Sequence, residues 1–107
     1  MAVYRIVASC YDNLDLDNNF KFFLLASLDD DKKIVPGQWF GYFDNEGYKY
    51  PFIMDINGGI FYDPESDLEV TNIINKHILS GEIFSFNINT DDECTYKITS
   101  VFELPWL

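Results

Sequence analysis

Short apolar stretches, most of them strand-length, punctuate this chain, and turn residues separate them. Val3 to Tyr11 is apolar-rich and β-branched at Val3, Ile6 and Val7, which predicts a strand. Asp12 to Asn19 holds three Asp and three Asn and reads as a loop. Phe20 to Ser27 is almost continuously apolar, which suits a strand buried on both faces or a short helix. Leu28 to Lys33 is a turn. Ile34 to Phe43 is interrupted by Pro36-Gly37, and Asp44 to Gly47 is a hairpin-type loop. Tyr48 to Ile56 resumes strand character, with Pro51 pointing to an edge or a bulge because it has no N–H for the ladder. Asn57-Gly58-Gly59 is a tight turn, followed by a short strand, Ile60 to Tyr62.

The one helix predicted begins near Pro64. Ser66 or Asp63 can cap it, and Ser66 and Glu69 have capping-box spacing. Leu68, Val70, Ile73, Ile74, Ile78 and Leu79 supply an apolar side at helical spacing, with Lys76 and His77 near the end and Gly81 as the stop. Glu82 to Asn89 then alternates as a half-buried strand, Thr90 to Glu93 is a turn, and Cys94 to Leu104 is a last long strand. About six strands joined mostly by short loops imply antiparallel neighbours. The expected fold is one α+β domain, residues 1–107, with a curved antiparallel sheet packed on one main helix.

Charge changes this picture most. Eighteen Asp and Glu face seven Lys and Arg, a formal net charge of −11. Acidic chains poor in aromatics stay disordered. Here 18% of residues are aromatic, enough for a packed core. The imbalance disfavours direct contact with nucleic acid or anionic lipid, both of which call for basic patches. It favours a basic protein partner. The first residues, Met1 to Ile6, carry no basic-then-apolar export pattern, and no apolar run reaches the ~20 residues of a membrane span, so a cytoplasmic location is expected. Cys10 and Cys94 then read as two buried, reduced thiols.

Motifs for chemistry are sparse. The acidic stretches from Asp12 and from Asp63 lack the glycine and the terminal glutamate of a calcium loop: from Asp15 those positions are Phe20 and Ala26, and from Asp63 they are Leu68 and Ile74. His77 is the only histidine and reads as a helix-terminal dipole partner or a packed surface residue. Neither a zinc set nor a phosphate loop is present in the sequence. No enzyme, metal or cofactor is expected. Alternation along Trp39 to Phe43 and Tyr48 to Phe52 sends half of these aromatics to each sheet face, so Trp39 and Tyr42, or Tyr48 and Tyr50, can stand outward as interface anchors.

Length, charge, aromatic-rich scaffold and acidic clusters together resemble the small acidic immunity proteins of bacterial toxin–immunity pairs, including those of contact-dependent growth inhibition. The clusters are Asp29, Asp30 and Asp31; Asp63, Glu65, Asp67 and Glu69; and Asp91, Asp92 and Glu93. With Trp39 and Tyr42 they are the candidate partner-binding residues. The resemblance implies a protein that binds one cognate toxin domain, commonly a nuclease whose basic site an acidic inhibitor can occlude. The first alternative is a phage or plasmid DNA mimic that inhibits a restriction or CRISPR enzyme. It requires carboxylates at phosphate-like spacing along an extended face. The second is a small ligand-binding domain, which requires a deep apolar pocket.

Overall fold

A computed structural model describes residues 2–64 and 68–105. It contains eight antiparallel strands: β1 (Tyr4–Asp12), β2 (Asp15–Ala26), β3 (Trp39–Asn45), β4 (Tyr48–Met54), β5 (Gly59–Phe61), β6 (Glu69–Val70), β7 (Ile83–Phe86) and β8 (Cys94–Glu103). They form one sheet in the order β6-β5-β4-β3-β2-β1-β8-β7. The two outer strands then meet. Thr71 bridges Phe86, the Asn87 N–H donates to the Val70 carbonyl at 2.8 Å and the Asn72 N–H to that of Ser85 at 3.2 Å. The sheet is thus a nearly closed barrel, and closure satisfies edges that would otherwise invite aggregation.

Side chains complete the seam where backbone runs short. The Ser85 N–H donates to Asn72 Oδ1 at 2.8 Å, and the Thr71 hydroxyl donates to the Ser85 carbonyl at 2.9 Å. These contacts overturn the predicted helix. Residues 69–70 are a strand, Ile73–Asn75 is a single 3₁₀ turn, and no α-helix occurs among the described residues. The apolar set that suggested a helical face is split. Ile73 and Ile78 are buried, whereas Leu68, Val70 and Leu79 are exposed. Val70, Thr71, Ile73 and Ile74 are β-branched, and Asn72 and Asn75 have side chains that compete for backbone bonds, so local propensity opposed a helix throughout. Ser66, half of the proposed capping box, lies outside the described residues. The fold is therefore all-β, not α+β, and His77 ends no helix; its Nδ1 lies 2.8 Å from the Asp31 carbonyl.

Two other expectations change. The acidic stretch after Tyr11 is mostly strand, because the turn needs only Asn13 and Leu14, at φ 50° and 69°. Positive φ at both residues matches the twist of a two-residue hairpin. Phe20 to Ser27 is a strand with only one face buried: Phe22, Leu24 and Ala26 point inward, while Phe23 and Leu25 point outward. Pro51 lies within β4 but beyond the reach of β5, which pairs only with Ile53 and Met54. Its missing N–H therefore costs no ladder bond.

Aromatic rings fill the interior. Phe22 is fully buried, with ring centroids 5.2–6.3 Å from Phe43, Phe52, Phe84, Phe86 and Tyr96. Gly41 makes room for this cluster. A Cβ there would lie 2.3 Å from the Phe23 carbonyl oxygen and 2.6 Å from the Phe52 ring.

Candidate functional site

In an up-and-down barrel, alternate connections lie at the same end. The β1–β2, β3–β4, β5–β6 and β7–β8 connections therefore converge on one rim. Among the described residues this rim holds Asp12, Asp15, Asp17, Glu46, Asp63, Glu69, Asp91, Asp92 and Glu93, and no Lys or Arg lies in those connections. The surroundings of two thiols and one carboxyl reflect the same convergence. Desolvation first, then the charges of Asp17 and Asp12, raises the Cys10 thiol above its ordinary 9.0. Neither thiol is buried as expected, since Cys94 is exposed and Cys10 half-buried at this polar barrel end; partial desolvation still pushes the Cys94 thiol up to about 11, aided by negative charge from Cys10, Glu69, Asp92 and Glu93. Glu69 accepts a 3.4 Å hydrogen bond from the Tyr62 hydroxyl. Burial still raises its carboxyl above 4.5, and the charge of Asp92 adds to that rise.

The loops of this rim are built by their own acids. Glu93 Oε1 accepts the Asn89 N–H at 2.7 Å, and Asp17 Oδ1 accepts the Asn19 N–H at 3.0 Å. Asp44 Oδ1 accepts the Gly47 N–H at 2.9 Å, holding the β3–β4 turn. These bonds hold the turns. At the tip of the β1–β2 hairpin, Leu14 stands 84% exposed between Asp12 and Asp15, and Leu16 is also exposed. An apolar side chain set among carboxylates is the geometry of an anchor with a charged surround.

Not all of the sequence candidates gather here. Asp63, Glu69, Asp91, Asp92 and Glu93 do. Glu65 and Asp67 lie outside the described residues. Asp29, Asp30 and Asp31 sit at the opposite end, in the β2–β3 connection. There, Asp29 Oδ1 accepts the N–H groups of Asp31 and Lys33 at 2.9 and 3.0 Å, so this cluster shapes a turn. Trp39 is half-buried beside the core, its indole N–H donating to the Val35 carbonyl at 2.8 Å. It borders a cleft of about 180 Å³ at that same far end. Tyr42 lies on the barrel wall, stacked on Phe23 with centroids 4.5 Å apart. Conversely, Asp12, Asp15, Asp17, Glu46 and Leu14 belong to the rim although no local motif marks them. The available signal was topological, because hairpin parity collects their turns.

The fold and site define a small antiparallel β-barrel with one carboxylate-lined end. Compared with protein-family models, curated proteins and solved structures, the chain matches none. Among the described residues, no group of three or more His, Cys, Asp or Glu is placed to hold a metal, and no helix is long and apolar enough to cross a membrane.

Two solution properties follow from this geometry. Crowded carboxylates on one rim repel one another, and salt screens that repulsion. Raising sodium chloride from about 0.02 to about 0.3 M should therefore lift the thermal midpoint by roughly 4 °C or more. A flat or falling midpoint would show that rim repulsion is not a net cost of folding. The second property concerns alkali. Tyr62, Tyr96, Cys10 and Cys94 all hold their protons more tightly in the folded chain than at their ordinary values of 10.0 and 9.0, with desolvation the leading cause. Their contribution to stability is fully present below pH 9 and is lost as pH rises through the alkaline range. The midpoint should fall by roughly 10 °C or more between about pH 8 and pH 10.5, and Tyr96→Phe should reduce that fall. An equal fall in the variant would remove Tyr96 as a cause.

Proposed function

We propose that this protein is an immunity protein of a bacterial toxin–immunity pair, of the contact-dependent growth inhibition type or a related system. In this reading its acidic rim seats over the basic site of a nuclease toxin domain and excludes the substrate. One observation carries the proposal: four alternate connections and the strand ends beside them place nine described carboxylates at one barrel end, the connections themselves hold no Lys or Arg, and the nearest cation, Lys49, is paired with Asp44. A nuclease binds phosphates with cations, so a rim of this sign attracts its site at long range and covers it on contact. The protein acts by occlusion in the cytoplasm and needs no cofactor for that role.

A local acidic end with the exposed Leu14 on its β1–β2 turn favours this reading over a DNA mimic, whose carboxylates would follow an extended path. A ligand-binding barrel is disfavoured because aromatic side chains already occupy the interior. The test is co-expression with the product of the neighbouring gene in a growth assay, followed by binding measurements on the purified pair. Protection of growth together with direct binding supports the proposal. If the neighbouring product is harmless alone, or if this protein neither binds it nor protects, the proposal fails.

A further inference from the structure

Two thiols meet on the inner face of the barrel, just below the rim. Cys10 stands opposite Tyr96 in the β1–β8 ladder, and Cys94 precedes Tyr96 by two residues on β8. Side chains two apart on a strand share a face, so the cysteines are diagonal neighbours across one strand pair. That face points inward: Tyr96 is buried, Cys94 is opposite the buried Phe86, and Cys10 packs against the core. The local chemistry agrees. Desolvation, and then the charge of Cys10, hold the proton on the Cys94 thiol. After desolvation, the charges of Cys94 and Cys10 do the same for the Tyr96 hydroxyl. The sequence leaves this pairing open, because positions 10 and 94 meet only if the first and last long strands are neighbours.

Diagonal neighbours in a sheet have Cα atoms about 7–8 Å apart, a little beyond the roughly 4.4–6.8 Å that a disulfide spans. Both cysteines sit where the backbone can supply the difference. Cys94 is the first residue of β8 and follows a turn closed by the Glu93 N–H on the Thr90 carbonyl. Cys10 borders the register shift that separates it from Ser9 in the β1–β2 ladder, an irregularity that bends a strand. Access is from the rim, since Cys94 is exposed and Cys10 half-buried. Carboxylates surround that approach. Asp12 and Asp17 lie close enough to act on the charge of Cys10, as Glu69, Asp92 and Glu93 do on that of Cys94. A cationic reagent is therefore drawn in and an anionic one repelled.

We propose that Cys10 and Cys94 are a redox pair, bridged by exchange with a small cationic disulfide, that staples β1 to β8 under the acidic rim. Cys94, the more exposed thiol, loses its proton and attacks one sulfur of the reagent. One thiol leaves, and a mixed disulfide remains on Cys94. Cys10 then loses its proton and attacks Cys94 Sγ, and the second thiol leaves. The reagent is reduced to two thiols, the two cysteines are oxidised to one disulfide, and the two protons lost by the protein match the two gained by the leaving thiols. The bridge closes a loop from residue 10 to residue 94, so it removes much of the freedom of the unfolded chain. It also ties the Leu14 hairpin to the β7–β8 connection, because each cysteine adjoins one of them. A reducing, thiol-rich compartment reopens it. The chemistry needs no protein partner, so it stands or falls independently of the immunity reading.

Cystamine, a small cationic disulfide, is the probe. At about pH 8.5 the full chain should lose the mass of two hydrogens, and peptide mapping without reductant should join the fragments that hold Cys10 and Cys94. The thermal midpoint should rise by about 5 °C or more and return when dithiothreitol is added. In cystamine–cysteamine buffers the bridge should be favoured at least about tenfold more in the folded chain than in about 8 M urea. Cys10→Ser and Cys94→Ser should each stop at a single mixed disulfide, with circular dichroism verifying their folds. At low salt cystamine should react at least about fivefold faster than anionic oxidised glutathione, and about 0.5 M sodium chloride should narrow the gap. A wild-type chain that keeps both thiols or stops at mixed disulfides, bridges that join separate chains, a midpoint that stays level or falls, or equal preference in the folded chain and in urea would each overturn the proposal. Equal rates for the two reagents at low salt would overturn the choice of a cationic one.

Discussion

Converting Asp91, Asp92 and Glu93 to Asn, Asn and Gln is expected to slow association with the cognate toxin domain tenfold or more at low salt, a loss of about 1.4 kcal/mol. These residues lie in the β7–β8 connection, on the rim proposed to meet the basic site. Glu93→Gln retains a side-chain oxygen that can accept the Asn89 N–H, so the loop should keep its shape. The companion variant replaces Asp29, Asp30 and Asp31 with Asn at the opposite barrel end, and its on-rate should stay within about twofold of wild type. Leu14→Asn should act on the other rate. Asn tolerates the φ of 69° better than Leu, so the turn survives, while loss of the apolar anchor should raise dissociation by about tenfold. Stopped-flow kinetics against sodium chloride would separate these effects. Equal slowing by both triple variants would mean that overall charge, and not the rim, governs encounter.

Phe22→Ala should be the most damaging single truncation in the core. The ring is fully buried and is a neighbour to five others. Removing it costs about 3–5 kcal/mol through lost burial and the cavity left behind. Folding stabilities are only about 5–15 kcal/mol, so much of the total is at risk, and the thermal midpoint should drop by roughly 20 °C. Phe40→Ala, on the exposed wall, should cost less than about 1 kcal/mol in dilute solution. Gly41→Val should resemble Phe22→Ala, because its Cβ would meet a backbone carbonyl that cannot step aside. Urea unfolding of the three variants provides the measurement. A Phe22→Ala variant within about 1 kcal/mol of wild type would show that the ring cluster repacks freely.

Most strands were legible because alternation survives in them. Ile83 to Phe86 and Cys94 to Ile98 show inward and outward positions directly, and Asp44 to Gly47 carries its turn chemistry openly. The misreading at 68–79 has a physical origin. Apolar residues recur there at helical intervals, yet they serve a strand, a bridge and a short 3₁₀ turn in succession. Their β-branching and the two asparagines carried the contrary signal. The acidic stretch after Tyr11 misled for a different reason: exposed strand residues can be as polar as a loop when they face solvent at a barrel rim. The candidate site was legible only in fragments. Each acidic cluster was visible, but the pairing that places 91–93 beside Glu69 and sends 29–31 to the far end depends on strand order. Leu14 carried no local mark at all, since its importance lies in the side chains that surround it.

Hairpin parity has a consequence for how such a molecule can change. Most inward-facing residues that hold the barrel and the four connections that carry much of its acidic rim occupy different stretches of chain. Substitutions, or even added residues, in 13–14, 46–47, 63–68 and 88–93 can reshape the rim while Phe22 and its neighbours, Tyr62 and the Asn87 seam contact stay as they are. The same frame could therefore follow a changing partner by rewriting its turns alone, with each connection free to vary independently of the other three.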